Sequence, residues 1–176
     1  MTRATYLAVL CLLALSGCGE PDGAKSAKEA AREATRSAKP LPGLYESRVN
    51  VLAYEIPGAT PQDADRMREM MTGLKTQVSR FCLMPEDVEK GFEDMVRRAA
   101  EGNCTFRSFD AEAGSVSAQM TCDLGRNADA TINLDGQTAP DRSRMLMEID
   151  QFAPNVPGGK VFTRMEVINR RLGECT

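Results

Sequence analysis

Four cysteines, Cys82, Cys104, Cys122 and Cys175, constrain this chain more than any other feature. In a chain that opens with an export signal, an even number of domain cysteines predicts two disulfides. Four cysteines allow three pairings, and spacing alone does not choose among them. Strand phase helps. Residues 104–110 and 115–124 read as two strands, and a hairpin centred on Ala113 sets Cys104 opposite Cys122, Phe106 opposite Met120 and Ser108 opposite Ala118. In that register Val116, Ala118, Met120, Cys122 and Leu124 share the matching face. The predicted bridges are therefore Cys104–Cys122 and, by remainder, Cys82–Cys175. A zinc site is the competing reading, but the wide spacing lacks the close cysteine pairs that such sites use.

The export signal lies at the N-terminus. Thr2 and Arg3 make a polar, positive start, Tyr6 to Leu15 is almost wholly apolar, and Ser16-Gly17 lead into Cys18. The apolar run is too short for a stable membrane span and has the layout of a secretory signal. Its end resembles the lipobox of bacterial lipoproteins. That resemblance implies cleavage before Cys18 and a diacylglycerol on its thiol, with acyl chains such as palmitate holding the protein to a membrane. Gly19, where an aspartate would favour inner-membrane retention, implies the outer membrane. The expected organisation is a signal over 1–17, acylated Cys18 and a flexible or weakly helical tether over 18–40, and a disulfide-braced domain over 41–176. The expected location is the bacterial cell envelope, facing the periplasm.

Small and charged residues fill the tether, with Ala27, Ala30, Ala31, Ala34 and Ala38 among Lys28, Arg32, Arg36 and Lys39. It has no large apolar residue with which to build a core of its own. Beyond Leu41, Tyr45 to Ala53 alternate as a strand ending at Ile56-Pro57-Gly58. Met67, Met70, Met71, Leu74, Val78 and Phe81 then recur at three- and four-residue steps, predicting a helix from Pro61 to Ser79. A second helix starts at Pro85-Glu86-Asp87 and buries Val88, Phe92, Met95, Val96 and Ala99, with Gly102 as its stop. After the cysteine hairpin come strands over 128–134, 145–149 and 161–168, with Asp135-Gly136 as a turn signal. The expected class is α+β, a mostly antiparallel sheet with two α-helices packed on one face.

Several landmarks resemble an uncharacterised bacterial envelope family catalogued as domain of unknown function 3617. They are Gly43-Leu44-Tyr45-Glu46, Cys82-Leu83-Met84-Pro85-Glu86, the mid-chain Cys104 and Cys122, and Arg171-Leu172-Gly173-Glu174-Cys175, in that order. Tyr45 stands where tryptophan is common in the family and Met84 where threonine is common. The resemblance implies an exported, disulfide-bearing protein and carries over no catalytic residue.

Chemistry is sparse. The chain has no histidine, which removes the commonest general base and metal ligand. Disulfide formation would remove the thiol nucleophiles. Glu86, Asp87, Glu89, Glu93 and Asp94 crowd one helix, a pattern read as a solvated face. No phosphate-binding glycine loop and no G-x-S-x-G turn is present. With 22 basic and 25 acidic residues the chain has no basic footprint for nucleic acid. An enzyme is not expected, nor a cofactor. Met67, Met70 and Met71 put three thioethers on one helix face, where Cu(I) binding competes with an adaptable apolar stripe. The stripe is preferred. With Leu74 it is the expected ligand or partner face of a non-catalytic envelope lipoprotein that binds another envelope component, a protein in preference to a small ligand. The second reading is a carrier of a small lipid-like ligand or, behind that, of Cu(I).

Overall fold

Long strands dominate this chain because its alternating segments run well past the lengths that local turn signals suggest. A computed structural model describes residues 25–72 and 76–175. In chain order it contains α1 (Ala27–Ala34), β1 (Gly43–Glu55), α2 (Pro61–Thr72), β2 (Thr76–Leu83), α3 (Pro85–Glu101), β3 (Cys104–Glu112), β4 (Ser115–Gly125), β5 (Ala128–Ala139), β6 (Arg142–Phe152) and β7 (Lys160–Gly173), with a short 3-10 turn at Pro157–Gly159. All seven strands join one antiparallel sheet in the order β2-β1-β7-β6-β5-β4-β3. The fold class is the α+β arrangement expected from the sequence.

Two helices pack on one face of this sheet, called the inner face below, and they are α1 and α3. The first comes from the segment read as a tether. Its ends are set locally: the Ser26 hydroxyl accepts from the Glu29 N–H at 3.3 Å while the Ser26 N–H donates to the Glu29 carboxylate at 2.9 Å, a reciprocal capping box. Those contacts hold the Glu29 carboxyl below the usual carboxylate range, the Ser26 hydroxyl contributing most. Ala30 and Ala34 are buried against Phe106, Phe109 and Val96. A helix with only alanines on its inward side can approach a sheet closely, and the two phenylalanines supply the volume it lacks. Lys25 fastens the start of this segment, its N–H donating to the Phe106 carbonyl at 3.0 Å and its ammonium to Glu33 and to the Phe109 carbonyl, both at 2.7 Å.

The cysteine hairpin forms nearly as predicted. Cys104 faces Cys122 and Phe106 faces Met120, but a bulge at Arg107 then sets Ser108 opposite Gln119 and Phe109 opposite Ala118. The extra residue turns Phe109 to the same side as Phe106, and both rings meet edge-on at 5.7 Å beneath α1. Leu124 leaves the core face, because the β4–β5 pairing shifts beside it between Asp123 and Gly125, and it is exposed.

Two other expectations change. The helix predicted to run to Ser79 ends at Thr72, and Val78 and Phe81 lie instead in strand β2, paired with β1. Because β2 is an edge strand, its side chains stay exposed on both faces, so the burial alternation that marks a strand never develops. The Asp135-Gly136 pair sits inside β5, and the chain reverses at Pro140-Asp141. Gly136 is required there for space: a Cβ would lie 2.9 Å from Val116 Cγ1 and closer still to the Met145 sulfur. The glycine lets side chains of β4 and β6 close over β5.

Candidate interaction face

Strand phase and register assign every sheet residue to a face. On β4, Val116, Ala118, Met120 and Cys122 point to the helix side; across β5 and β6 their neighbours include Leu134, Ile132, Met145, Met147 and Ile149. The row continues into β7 with Met165 and Val167 and into β1 with Val49 and Val51. The core proper lies under α1 and α3, which dock on β3, whereas α2 contacts the sheet at β1. Val49, Val51, Met145, Met147, Ile149, Met165 and Val167 are all half-buried; Met145 and Met147 pack against that core, and the others carry its apolar row across β6, β7 and β1.

The opposite, outer face mixes apolar side chains such as Leu146, Phe162 and Ile168 with cross-linked polar ones. Arg80 pairs with Glu46 at 3.2 Å, Arg144 with Glu166 at 2.7 Å, Arg164 with Glu148 at 3.2 Å, and Gln119 donates to Asn133 at 2.8 Å. Glu166 is the most enclosed of these, and the Asn50 amide and the Arg144 guanidinium hold its carboxyl below the usual range. Such cross-strand pairs suit a solvated sheet surface.

The residues expected to form a binding face are distributed unevenly. Met67 is half-buried beside Tyr54, Ile56 and Ala64 around a cavity of about 240 Å3. Met70 is exposed to 65%. The Met71 side chain and Leu74 lie outside the described residues, as do Cys18 and the signal over 1–17. The structure therefore brings Met67 to the end of β1, and the larger apolar surface is on the sheet itself. Sequence reading missed it because β6 and β7 residues met it as separate short strands. The alternation of Met145, Met147 and Ile149 with charged or bulky neighbours was the available signal.

Both predicted disulfides are present. Cys104 and Cys122 have Cα atoms 4.0 Å apart, and Cys82 and Cys175 have Cα atoms 5.8 Å apart. The second bridge crosses a strand: Cys82 is on β2, Cys175 follows β7, and β1 lies between them. Around it gather the other landmarks. The Arg171 guanidinium donates to the Pro42 carbonyl at 2.8 Å, and a Cβ on Gly43, whose φ is +143°, would collide with the Gly173 carbonyl and the Arg171 side chain. The buried Tyr45 hydroxyl donates to the Leu41 carbonyl at 2.8 Å and also meets the Pro140 carbonyl at 3.1 Å, while its ring stacks on Phe81 at 5.7 Å. Burial pushes its phenol pKa up. The three terminal landmarks thus form one structural clasp.

That clasp joins three of the landmarks on which the family resemblance rests. The sequence model described as protein of unknown function (DUF3617) matches residues 40–175. The chain belongs to DUF3617. No curated protein and no solved structure matches it significantly. The family match spans the entire sheet and α3, and α1 precedes it.

The acids on α3 are met by neighbouring basic residues. Asp94 accepts hydrogen bonds from the Arg97 and Arg98 guanidiniums, which hold its carboxyl below the usual carboxylate range. Asp87 pairs with Lys90 at 3.5 Å and Glu89 with Lys39 at 3.4 Å. All four domain cysteines are bonded to one another, so none offers a thiolate. The disulfides fit an oxidising, extracytoplasmic compartment. Among the described residues no helix is long and apolar enough to cross a membrane.

Proposed function

We propose that this DUF3617 member is a non-catalytic envelope lipoprotein, anchored through acylated Cys18 and facing the periplasm, whose domain binds another envelope protein. The outer membrane is the favoured attachment. The observation that carries this reading is the apolar row of the inner face, where Val49, Val51, Ile149, Met165 and Val167 continue from the core-packed Met145 and Met147 and are only half-buried. A contiguous apolar area rimmed by polar residues marks an interaction surface, and its methionines let one surface fit a partner by repacking. Shape favours a protein over an enclosed small ligand. The cavity beside Met67, at about 240 Å3, falls below the ~300 Å3 at which small-molecule sites usually begin. A cavity of about 880 Å3 between α1 and α3 is ringed by Lys28, Asp87, Lys90, Asp94, Arg97 and Arg98 and does not suit an apolar cargo.

Site-specific photo-crosslinking in intact cells tests the reading. A photoreactive residue at Met165 or Met147 is expected to capture one defined protein, and the same residue at Thr131 on the outer face is not. Equal capture from both faces, or none from either, overturns it. Cys18→Ser is expected to move the protein from the membrane fraction to the soluble periplasmic fraction, and retention on the membrane argues against the lipid anchor.

A further inference from the structure

The outer face carries most of the sheet's charged side chains, among scattered apolar ones such as Leu146, Phe162 and Ile168, and its charges are unevenly shared. At one end of the sheet a single cross-strand row runs Arg142 on β6, Arg170 on β7, Glu46 on β1 and Arg80 on β2. The next row holds Arg144, Ile168 and Arg48. Across these rows on β6, β7, β1 and β2 five arginines stand with two carboxylates, Glu46 and the nearby Glu166, and Asp135 on β5 lies beside Arg144, in a chain whose net charge is −3. Glu46 and Glu166 are both engaged. Glu46 accepts Arg80 at 3.2 Å with Arg48 at 4.0 Å, and Glu166 accepts Arg144 at 2.7 Å with Asn50 at 3.0 Å. Arg142 and Arg170 face each other directly, and among the described residues neither has a carboxylate within 4.0 Å. Like charges directly opposite in a sheet destabilise it, and an anion placed between them reverses the sign.

These side chains are arranged around space. Arg142, Arg144 and Arg170, with Gln137, Ser115 and Ile168, line a pocket of about 560 Å3. We propose that this pocket binds a phosphate ester. Arginine presents a planar fork of donors that matches phosphate oxygens two at a time. One bidentate arginine already fills the two oxygens of a carboxylate, whereas three arginines can share the oxygens of a phosphate. Arg144 is held in place by the enclosed Glu166, so part of the cradle is set before the ligand arrives. The volume lies within the ~300–1,000 Å3 of small-molecule sites, leaving room beside the phosphate for its organic group against Ile168. This pocket is on the face opposite the apolar row, so the two readings stand or fall separately.

A phospholipid headgroup and a soluble phosphate ester share this chemistry, and titration calorimetry on the full chain in neutral detergent separates them. The probes are inorganic phosphate, glycerol 3-phosphate and a short-chain phosphatidylglycerol. At least one is expected to bind with a dissociation constant below 1 mM, roughly the weak end of specific recognition. The Arg142→Gln/Arg170→Gln double variant is expected to lose at least ~10-fold in affinity, the effect of one charge-assisted contact, while its melting temperature holds or rises because the opposed charges are gone. Arg170→Lys, which keeps the charge and loses the fork, is expected to fall between. Tighter binding of glycerol 3-phosphate assigns a soluble ester, and tighter binding of the phosphatidylglycerol assigns a headgroup. No binding of any probe at 1 mM, about −4.1 kcal/mol, or equal binding by wild type and double variant, overturns the proposal.

Discussion

Single side chains in this fold are placed by what their strand neighbours leave room for. Thr138 is an example: it is buried on β5, and among the described residues its Oγ1 has no hydrogen-bond partner. A buried hydroxyl without a partner forfeits the hydration it had in the unfolded chain. Thr138→Val keeps the shape and removes that group, so the variant is expected to gain about 1 kcal/mol, or ~2–4 °C in Tm for a domain of this size, by thermal melting. Glu166 works in the other direction. Asn50 and Arg144 depress its pKa in the folded state, so its carboxylate stabilises the fold fully above the unfolded value of about 4.3. That contribution is lost as pH falls through the lower folded value. Urea melts from pH 7 to acid should therefore show wild type more stable than Glu166→Gln at neutral pH and the two converging in the acid range. A constant difference across the range would argue that Glu166 acts by packing alone.

At the scale of elements, α1 carries more than its composition suggests. Its capping box and the row Ala27, Ala30, Ala31, Ala34 are both visible in the sequence as a helix start and a small-residue face. Read without a partner, the same row is only a helix with nothing to bury. Its role comes from the bulge at Arg107, which turns Phe106 and Phe109 to one side and gives the alanines something to cover. Ala30→Leu is expected to overpack this contact and cost about 1–3 kcal/mol, read as a drop in the urea midpoint. Leucine at exposed Thr35, just past the helix end, should cost far less, although it removes the hydroxyl that donates to the Arg32 carbonyl at 2.7 Å. Strand β2 shows the converse. Val78 and Phe81 fit a helical spacing, and Gly73 was the available breaker. An edge strand with both faces exposed gives no burial alternation to outvote that spacing.

The whole molecule is an open sheet closed at its two ends by covalent bonds of different reach. Cys104–Cys122 spans 18 residues within one hairpin, whereas Cys82–Cys175 spans 93 and ties β2 to the chain after β7. Chain-entropy arithmetic assigns about 3 kcal/mol to a loop near the first length and about 4.7 to one near the second. Removing Cys82 and Cys175 together, each as Ala, is expected to lower the midpoint of unfolding more than removing Cys104 and Cys122. The reverse order would mean that the hairpin bridge, next to the core, acts through packing. The long bridge also holds β1 between β2 and β7, and the apolar row crosses β1 and β7, so its loss is expected to weaken partner capture as well as stability.

The sequence by itself determined the α+β class, the cysteine register, both bridges and the start and end of α3. These rest on local signals: strand phase, proline and acidic residues at a helix start, and glycine at its stop. It also offered Met67, Met70, Met71 and Leu74 as one face, of which the structure places Met67 half-buried and Met70 exposed. Tertiary structure alone decided that α1 joins the core, that Gly136 lies within a strand, and that a half-buried apolar row runs over β1, β7 and β6. The physical reason is common to all three. A helix of alanines, a glycine in a strand and a half-buried methionine acquire their roles from residues far away in sequence, Phe106 and Phe109, Met145 and Val116, Val49 and Val167, and only the sheet order brings those residues together.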